Sequence, residues 1–490
     1  MTLQQLFALS PILIVGLTVV TVMLAIAIKR HHKWTATIST AGLSLALVPL
    51  LVHCWLPGSS AFTSPQTVTP LLRIENYACF YMVMILIAAL TTTTLSHRYM
   101  EGYQGNREEL YLLLLLSTLG GLVLVASCHF ASFFIGLELL SVPMYGMAAY
   151  LVKERRSLEA GMKYLVLSAV ASAFIVFGMA LVYSQTGTLM FSAIGASVAN
   201  VADDERVVMI LGGAMLLIGI GFKLSLAPFH LWAPDVYEGA PAPVTSFLAT
   251  ASKIAVFALL LRYFVEARAY QYGVLVNILS VLAILSIIIG NVLALQQQDL
   301  KRLLAYSSIA HFGYMLVALI ASGALAVEAI GIYLLTYAVT TLAAFGVITL
   351  MSSPYKHHDA EILFDYRGLF WKHPYLAAVL TLALLSLAGI PLTAGFIGKF
   401  YVLGAGVDKR LWMLLAAVVL GSAVGLYYYL RAMVQLYLRQ RWVAPFSAPS
   451  DWARGAGGGM LILLTLLMLA LGVYPGPFIM LVQAAGLGGK

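Results

Sequence analysis

The run Val207–Tyr237, VVMILGGAMLLIGIGFKLSLAPFHLWAPDVY, decides the fold. It is apolar or glycine up to Lys223 and then meets Pro228, His230, Pro234 and Asp235. As one helix it would be about 46 Å long, against a bilayer hydrocarbon core of about 30 Å. An interior proline removes a backbone donor and clashes with the preceding turn. Inside a bilayer the freed backbone groups must be satisfied by protein or water, so such a break sits in a protein interior or a wet cavity. The run reads as a broken transmembrane helix. A second long run, 374–403, has the same features: Ala388-Gly389-Ile390-Pro391 near its middle, followed by Lys399. Paired broken helices in the two halves of a chain mark an internally repeated transporter.

The rest of the chain agrees with that reading. Of its 490 residues 61% are hydrophobic and 10% charged, with a mean hydropathy of +0.94. A soluble domain carries about 25% charge, so a soluble enzyme is excluded first. The period of the apolar positions is helical, which disfavours a β-barrel. Fourteen apolar segments reach membrane length: 8–28, 34–56, 77–95, 110–127, 130–151, 160–184, 207–237, 242–265, 272–295, 302–321, 324–351, 374–403, 411–437 and 457–480. The expected fold is an all-α polytopic membrane protein forming a single membrane domain. Within it, 1–109 holds the first three helices, 110–265 a first five-helix unit, 272–437 a second, and 457–490 the last helix. Units of five would put the broken seventh and twelfth spans in equivalent positions. The first segment lacks a basic leader and a small-residue cleavage site and reads as a retained span.

The 28 Lys and Arg against 20 Asp and Glu give a formal charge of +8. One set of alternate loops holds sixteen of the basic residues, the opposite set seven, and five fall inside spans. The richer face is expected in the cytoplasm, and an even number of spans then places both termini on the other side. Cys54, Cys79 and Cys128 have no metal-ligand spacing.

A charge at the bilayer centre costs about 2.5–3.5 kcal/mol, so each one needs a reason. Glu138, in FIGLELL (134–140), reads as the only acid deep in a span. It is either an ion-pathway carboxylate or half of a packing ion pair. Lys163 lies one turn after Glu159 on the same helix face. It is expected either to partner Glu138 or to reach the interface and pair with Glu159 alone. Lys223 and Lys253 sit mid-membrane with no acid within a turn. Burial disfavours the charged form of an amine, which makes such lysines able to load and release protons. The blander reading has them held by carbonyls at the helix break. His311 is a candidate proton carrier or a hydrogen-bonded packing residue, and His230 sits at the hydrated break. Lys399 is the candidate exit site or a lysine reaching the interface. Arg431 holds its proton too tightly to relay it and reads as structural. Asp235 and Glu238, near the basic face, either help proton entry or serve as loop and cap residues, and the second reading is favoured. There is no P-loop, dinucleotide fingerprint, CxxC cluster or haem ligand pair. The energy must come from an ion gradient or from a partner protein.

The runs FIGLELLSVPMYG (134–146), RRSLEAGMKYLVLSA (155–169), GFKLSLAPFHLWAPDVYEGAPAPV (221–244), FLATASKIAVF (247–257), DLKRLLAYSSIAHFGYML (299–316), LFDYRGLFW (363–371) and LAGIPLTAGFIGKFYVL (387–403) carry a resemblance. Together they resemble the subunit N family of bacterial proton-pumping NADH–quinone oxidoreductase (respiratory complex I) over essentially the whole chain. The resemblance implies an antiporter-like fold with inverted five-helix repeats. It implies no redox cofactor here, with FMN and iron–sulfur clusters in partner subunits, and neighbouring antiporter-like subunits as partners. NADH and quinone are then met only through the whole complex. By the same resemblance Glu138 pairs with a key lysine, Lys163 is a nearby lysine, Lys223 the central pump lysine, Lys253 the connecting lysine, Lys399 the exit-side site and Glu159 a supporting acid. The runs around Lys253 and DLKRLLAYSS also resemble sodium/proton antiporter subunits. A gradient-driven sodium/proton exchanger subunit and a structural membrane scaffold are therefore the rival readings.

Overall fold

A computed structural model describes residues 2–55, 66–197, 203–355, 358–439 and 446–487. Lys356, Arg441 and Lys490, three of the loop charges, and the Cys54 side chain lie outside the described residues. The N-terminal part comprises α1 (Leu3–Ala8), α2 (Ser10–Ile28), α3 (His32–Trp55), the antiparallel hairpin of β1 (Gln66–Thr69) and β2 (Leu72–Ile74), and α4 (Asn76–Tyr99). The next five spans are built from α5 (Glu109–Ala126), α6 (Phe130–Ala148), α7 (Arg155–Thr186), the broken pair α9 (Asp203–Lys223) and α10 (Trp232–Gly239), and α11 (Ala242–Phe247) joined to α12 (Lys253–Glu266). The small α8 (Phe191–Ser197) lies between α7 and α9. The following five use α13 (Gly273–Leu295), α14 (Leu300–Ala321), α15 (Ala324–Met351), the broken pair α17 (Pro374–Ala388) and α18 (Ala394–Asp408) after a short α16 (Leu369–Lys372), and α19 (Trp412–Tyr437). The chain closes with α20 (Ala456–Val473) and α21 (Gly476–Ala484).

Among the described residues 13 helices are long and apolar enough to cross a bilayer. The remaining expected span, 374–403, is two shorter helices separated by the Gly389–Thr393 turn. The hairpin is not foreshadowed by composition, because strands of four and three residues are too short to show a period.

Burial divides the helices into two classes. The α11–α12 and α14 spans are buried along their whole length, and α15 nearly so, whereas α2 and α7 keep most of their length on the outside. The fully enclosed helices are the ones carrying Lys253, Ser308 and His311, so the polar groups lie in the protein interior and not against lipid. α14 starts where the Asp299 carboxylate accepts from the Arg302 backbone N–H at 2.8 Å, a side-chain N-cap. α13 ends where the Arg431 guanidinium donates to the carbonyls of Leu295 (2.7 Å) and Gln297 (2.6 Å), satisfying oxygens that a helix end leaves free.

Two charges counted with the loops are buried. Arg262 is fully enclosed near the end of α12, where it bonds Glu75 (2.7 Å) and the Val125 carbonyl (3.2 Å) beside Glu266, which Arg73 also holds. Lys301, one residue into α14, is 1% exposed and pairs with Asp359 at 2.8 Å. Position at a helix end suggested water in both cases. The chain instead folds a neighbouring segment over each end and supplies the acid that a buried cation needs.

Candidate functional site: a row of buried amines

α9 stops at Lys223, five residues before Pro228 and not at the proline. The chain turns through Ser225, whose φ is +60°, and restarts as α10 at Trp232. The Trp232 indole N–H donates to the Phe222 carbonyl at 2.9 Å, so a neutral group satisfies the frayed helix end. The Lys223 amine is left free to point sideways. It is 5% exposed and donates to Ser141 Oγ of α6 and Ser168 Oγ of α7, both at 2.7 Å. Ser168 is bonded in turn to the Tyr145 hydroxyl at 2.6 Å.

Glu138 lies one turn from Ser141 on α6 and accepts from Ser172 Oγ of α7 at 2.6 Å. Ser172 is itself one turn from Ser168. The acid and Lys223 therefore occupy neighbouring layers of the same α6–α7 cleft, each held by a serine of α7, and no ion pair joins them here. Glu138 is half-buried. It shares a helix face with Ile135 and Val142, which are exposed. The expectation of a fully buried acid is thus corrected: it stands where the amine row meets the outer surface.

Lys163 is not brought to Glu138. It pairs with Glu159 (2.7 Å) and Asp235 (2.6 Å). It precedes Ser172 by nine residues of α7, about 13 Å of helix, so it cannot reach the acid's layer. Asp235 also accepts from Arg302 (2.9 Å), which bonds Glu238 (2.6 Å). Beyond simple loop and cap duty, these acids of α10 tie α7 to α14.

Lys253 follows a wider, π-type turn at Leu248–Ser252, a distortion frequent at functional positions. Its amine, 1% exposed, donates to Ser308 Oγ of α14 at 2.7 Å and lies 4.9 Å from the Phe312 ring centre. Ser308 also accepts from the Tyr337 hydroxyl at 2.8 Å. One turn on, His311 bonds the Tyr333 hydroxyl through Nδ1 (2.7 Å) and the Tyr429 hydroxyl through Nε2 (3.2 Å), and Tyr429 bonds Ser307. Lys399, on α18, reaches back to the second break and donates to the Ala388 carbonyl at 2.8 Å, with its amine 5.4 Å from the Tyr314 ring centre. His230 is buried at the first break beside Pro228.

The hydroxyls of Ser141, Ser168, Ser308, Tyr333, Tyr337 and Tyr429 escaped the sequence reading. A serine or tyrosine in an apolar helix carries no charge cost to betray it. The signals available were the paired Ser307-Ser308 and the run Tyr427-Tyr428-Tyr429.

This fold, with amines at two helix breaks and on the enclosed helix between them, defines an antiporter-like membrane subunit. Residues 127–425 match the family model described as NADH:quinone oxidoreductase/Mrp antiporter, TM. The chain is 57% identical, over 99% of its length and 97% of the relative's, to NADH-quinone oxidoreductase subunit N of Ectopseudomonas mendocina (strain ymp). A chain of respiratory complex I from Thermus thermophilus with bound aureothin superposes with a TM-score of 0.80 at 34% identity, covering 97% of this chain and 100% of that one. A chain of the Mrp complex from Dietzia sp. DQ12-45-1b superposes with a TM-score of 0.79 at 19% identity, over 99% and 97%; at that identity it shares the fold alone. The chain belongs to the subunit N family of NADH-quinone oxidoreductases. It is a multi-span, antiporter-like membrane subunit of complex I involved in proton translocation, with other membrane subunits as partners.

Proposed function

We propose that this chain translocates protons through Glu138, Lys223, Lys253, His311 and Lys399, driven by electron transfer from NADH to quinone in other subunits. It is then the non-redox part of a translocase, and FMN and the iron–sulfur clusters belong to its partners. Lys163 and Glu159 act at the cytoplasmic mouth, and His230 lines the first break. The loop charges support placement in the bacterial inner membrane with both termini periplasmic.

The observation that carries this reading is the row itself. Three enclosed amines, each bonded to neutral oxygens, lie across the middle of the protein among serine and tyrosine hydroxyls and one imidazole. A lysine held only by neutral groups gives up its proton more readily than one facing a carboxylate. Closing Glu138 onto Lys223 to about 4 Å is worth about 4 kcal/mol at an effective dielectric of about 20. Moving one charge against about 150 mV takes roughly 3.5 kcal/mol. The two magnitudes match, so opening and closing this one pair suffices for one proton. The half-buried position of Glu138 exposes the switch to a charge change in the neighbouring subunit.

The test is Lys223→Ala in the assembled complex, reconstituted in vesicles. The proton yield per electron falls while NADH-to-quinone electron transfer persists. An unchanged yield overturns the scheme.

A further inference from the structure

We propose that Lys253 has a cytoplasmic intake of its own, with protons picked up at Glu361 and handed past the Tyr237 hydroxyl to its amine. The inference rests on the proton path above and adds an entrance to it. A cavity of about 460 Å³ opens on the basic face, lined by Arg156, Glu238, Ala240, Lys301, Asp359 and Glu361 among others. Glu238 and Glu361 of its wall and the neighbouring Asp299 each bring a carboxylate oxygen within 4.8 Å of the other two. Carboxylates this close do not all stay ionised. The groups facing Glu361 are Lys301 of α14 at 3.8 Å, Arg156 of α7 at 3.2 Å, Glu238 of α10, and Asp299 and Asp359 of the adjoining loops. Burial pushes the Glu361 carboxyl up to about 7, with Asp299 and Asp359 adding to the rise and Lys301 and Arg156 opposing it. It therefore exchanges a proton near neutral pH.

The floor of the cavity is Lys301, tied to Asp359 and to the Ala240 carbonyl at 2.8 Å. Seven residues along the same face of α14 stands Ser308, the oxygen that holds Lys253. The interval is two turns, about 10 Å. Two enclosed hydroxyls without a hydrogen-bond partner of ordinary geometry border it: Tyr237 Oη, beside Ser308, and Thr341 Oγ1, beside Tyr337. Buried hydroxyls are almost always bonded, by water where protein does not serve, and in this proposal water carries the proton from the cavity to the Tyr237 hydroxyl. The transfer balances. Glu361 gives its proton to water, the Tyr237 oxygen accepts one as its own O–H proton passes to Ser308, and Ser308 protonates the neutral Lys253 amine. No electron moves.

The test uses the whole complex in vesicles with the cytoplasmic face outward, driven by NADH. The loss of pumping in Lys253→Met defines this chain's share. Tyr237→Phe and Glu361→Gln each remove at least roughly half of that share, as expected for loss of a positioned proton-transfer group, and Glu361→Asp restores most of it. The wild-type share falls as external pH rises through about 7, where Glu361 loses its proton; in Glu361→Gln this dependence disappears. Tyr237→Phe keeps the ring, so it decides the matter if the Glu361 variant fails to assemble. If Tyr237→Phe retains the full Lys253-dependent share with an unchanged pH profile, the intake is wrong while the path stands. If Lys253→Met itself costs no pumping, the path is wrong.

Discussion

The two broken helices place a lysine in two different trades. At the first break, Lys223 ends α9, and the Phe222 carbonyl accepts from both the Ser225 backbone N–H and the Trp232 indole N–H, each at 2.9 Å. The amine is spared structural work and turns to two serines, one layer from an acid. At the second break, Lys399 stands six residues into α18 and spends its amine on the freed carbonyl of Ala388. Both turns hold a non-glycine residue at positive φ, Ser225 at +60° and Leu392 at +70°. On the path proposed above, a broken helix frees its lysine where another group caps it and ties the lysine down where the lysine is itself the cap. In the first half that cap is a neutral ring; in the second half cap and proton site are one group. On that proposed path, the first break switches against Glu138, and the second releases a proton only when its own helix end loosens.

The largest difference should appear when each amine is removed. Lys399→Met leaves the Ala388 carbonyl without its donor inside the membrane, a loss of about 1–3 kcal/mol. Assembly or thermal stability of the complex should drop with pumping. Lys399→Gln restores the donor without a titrating group, so stability recovers and pumping does not. Lys223→Met leaves only two serine hydroxyls, which can turn to their own helix carbonyls, so stability stays near wild type. Thermal unfolding of the three purified complexes checks this. Equal losses at both breaks would dissolve the contrast.

A smaller effect tests the close fit of the second break. Gly389 ends α17 at φ +82°, and a Cβ there would lie 2.7 Å from Lys399 Cδ. Gly389→Ala meets the left-handed penalty of about 1–2 kcal/mol and pushes the lysine stem aside. The lysine chain is flexible enough to move, so the complex assembles with lowered thermal stability and a weakened Lys399–Ala388 bond. Amide exchange around Ala388 should quicken. No change in either would mean that Lys399 does not cap this helix.

Most of this architecture was legible because a bilayer permits so few solutions. Length and apolarity gave away the spans, and an uncompensated lysine beside a proline marked each break. Four of the five residues of the proposed path, Lys223, Lys253, His311 and Lys399, are enclosed. What stayed hidden was pairing across helices. The apparent neighbour Lys163 is bound to Asp235, 72 residues away, because α10 folds back over the start of α7. Lys301 and Arg262 looked solvated because sequence reports nearness to a helix end and not what folds over it. The hydroxyls beside the amines were invisible for the opposite reason: they cost the membrane little, so nothing in composition singles them out.

The finest test concerns Leu392, which is 79% exposed yet holds the left-handed conformation that a side chain resists. Replacement by glycine relieves roughly 1–2 kcal/mol of backbone strain. The greater freedom of glycine when the turn opens takes back about 0.5–1 kcal/mol. The net gain, about 0.5 kcal/mol, should slow amide exchange across residues 389–393 by roughly twofold. A gain of that size says the strain belongs to this chain alone. A loss instead would say that the exposed leucine is gripped by an adjoining subunit, and that the second break is loosened from outside as the first is switched from outside.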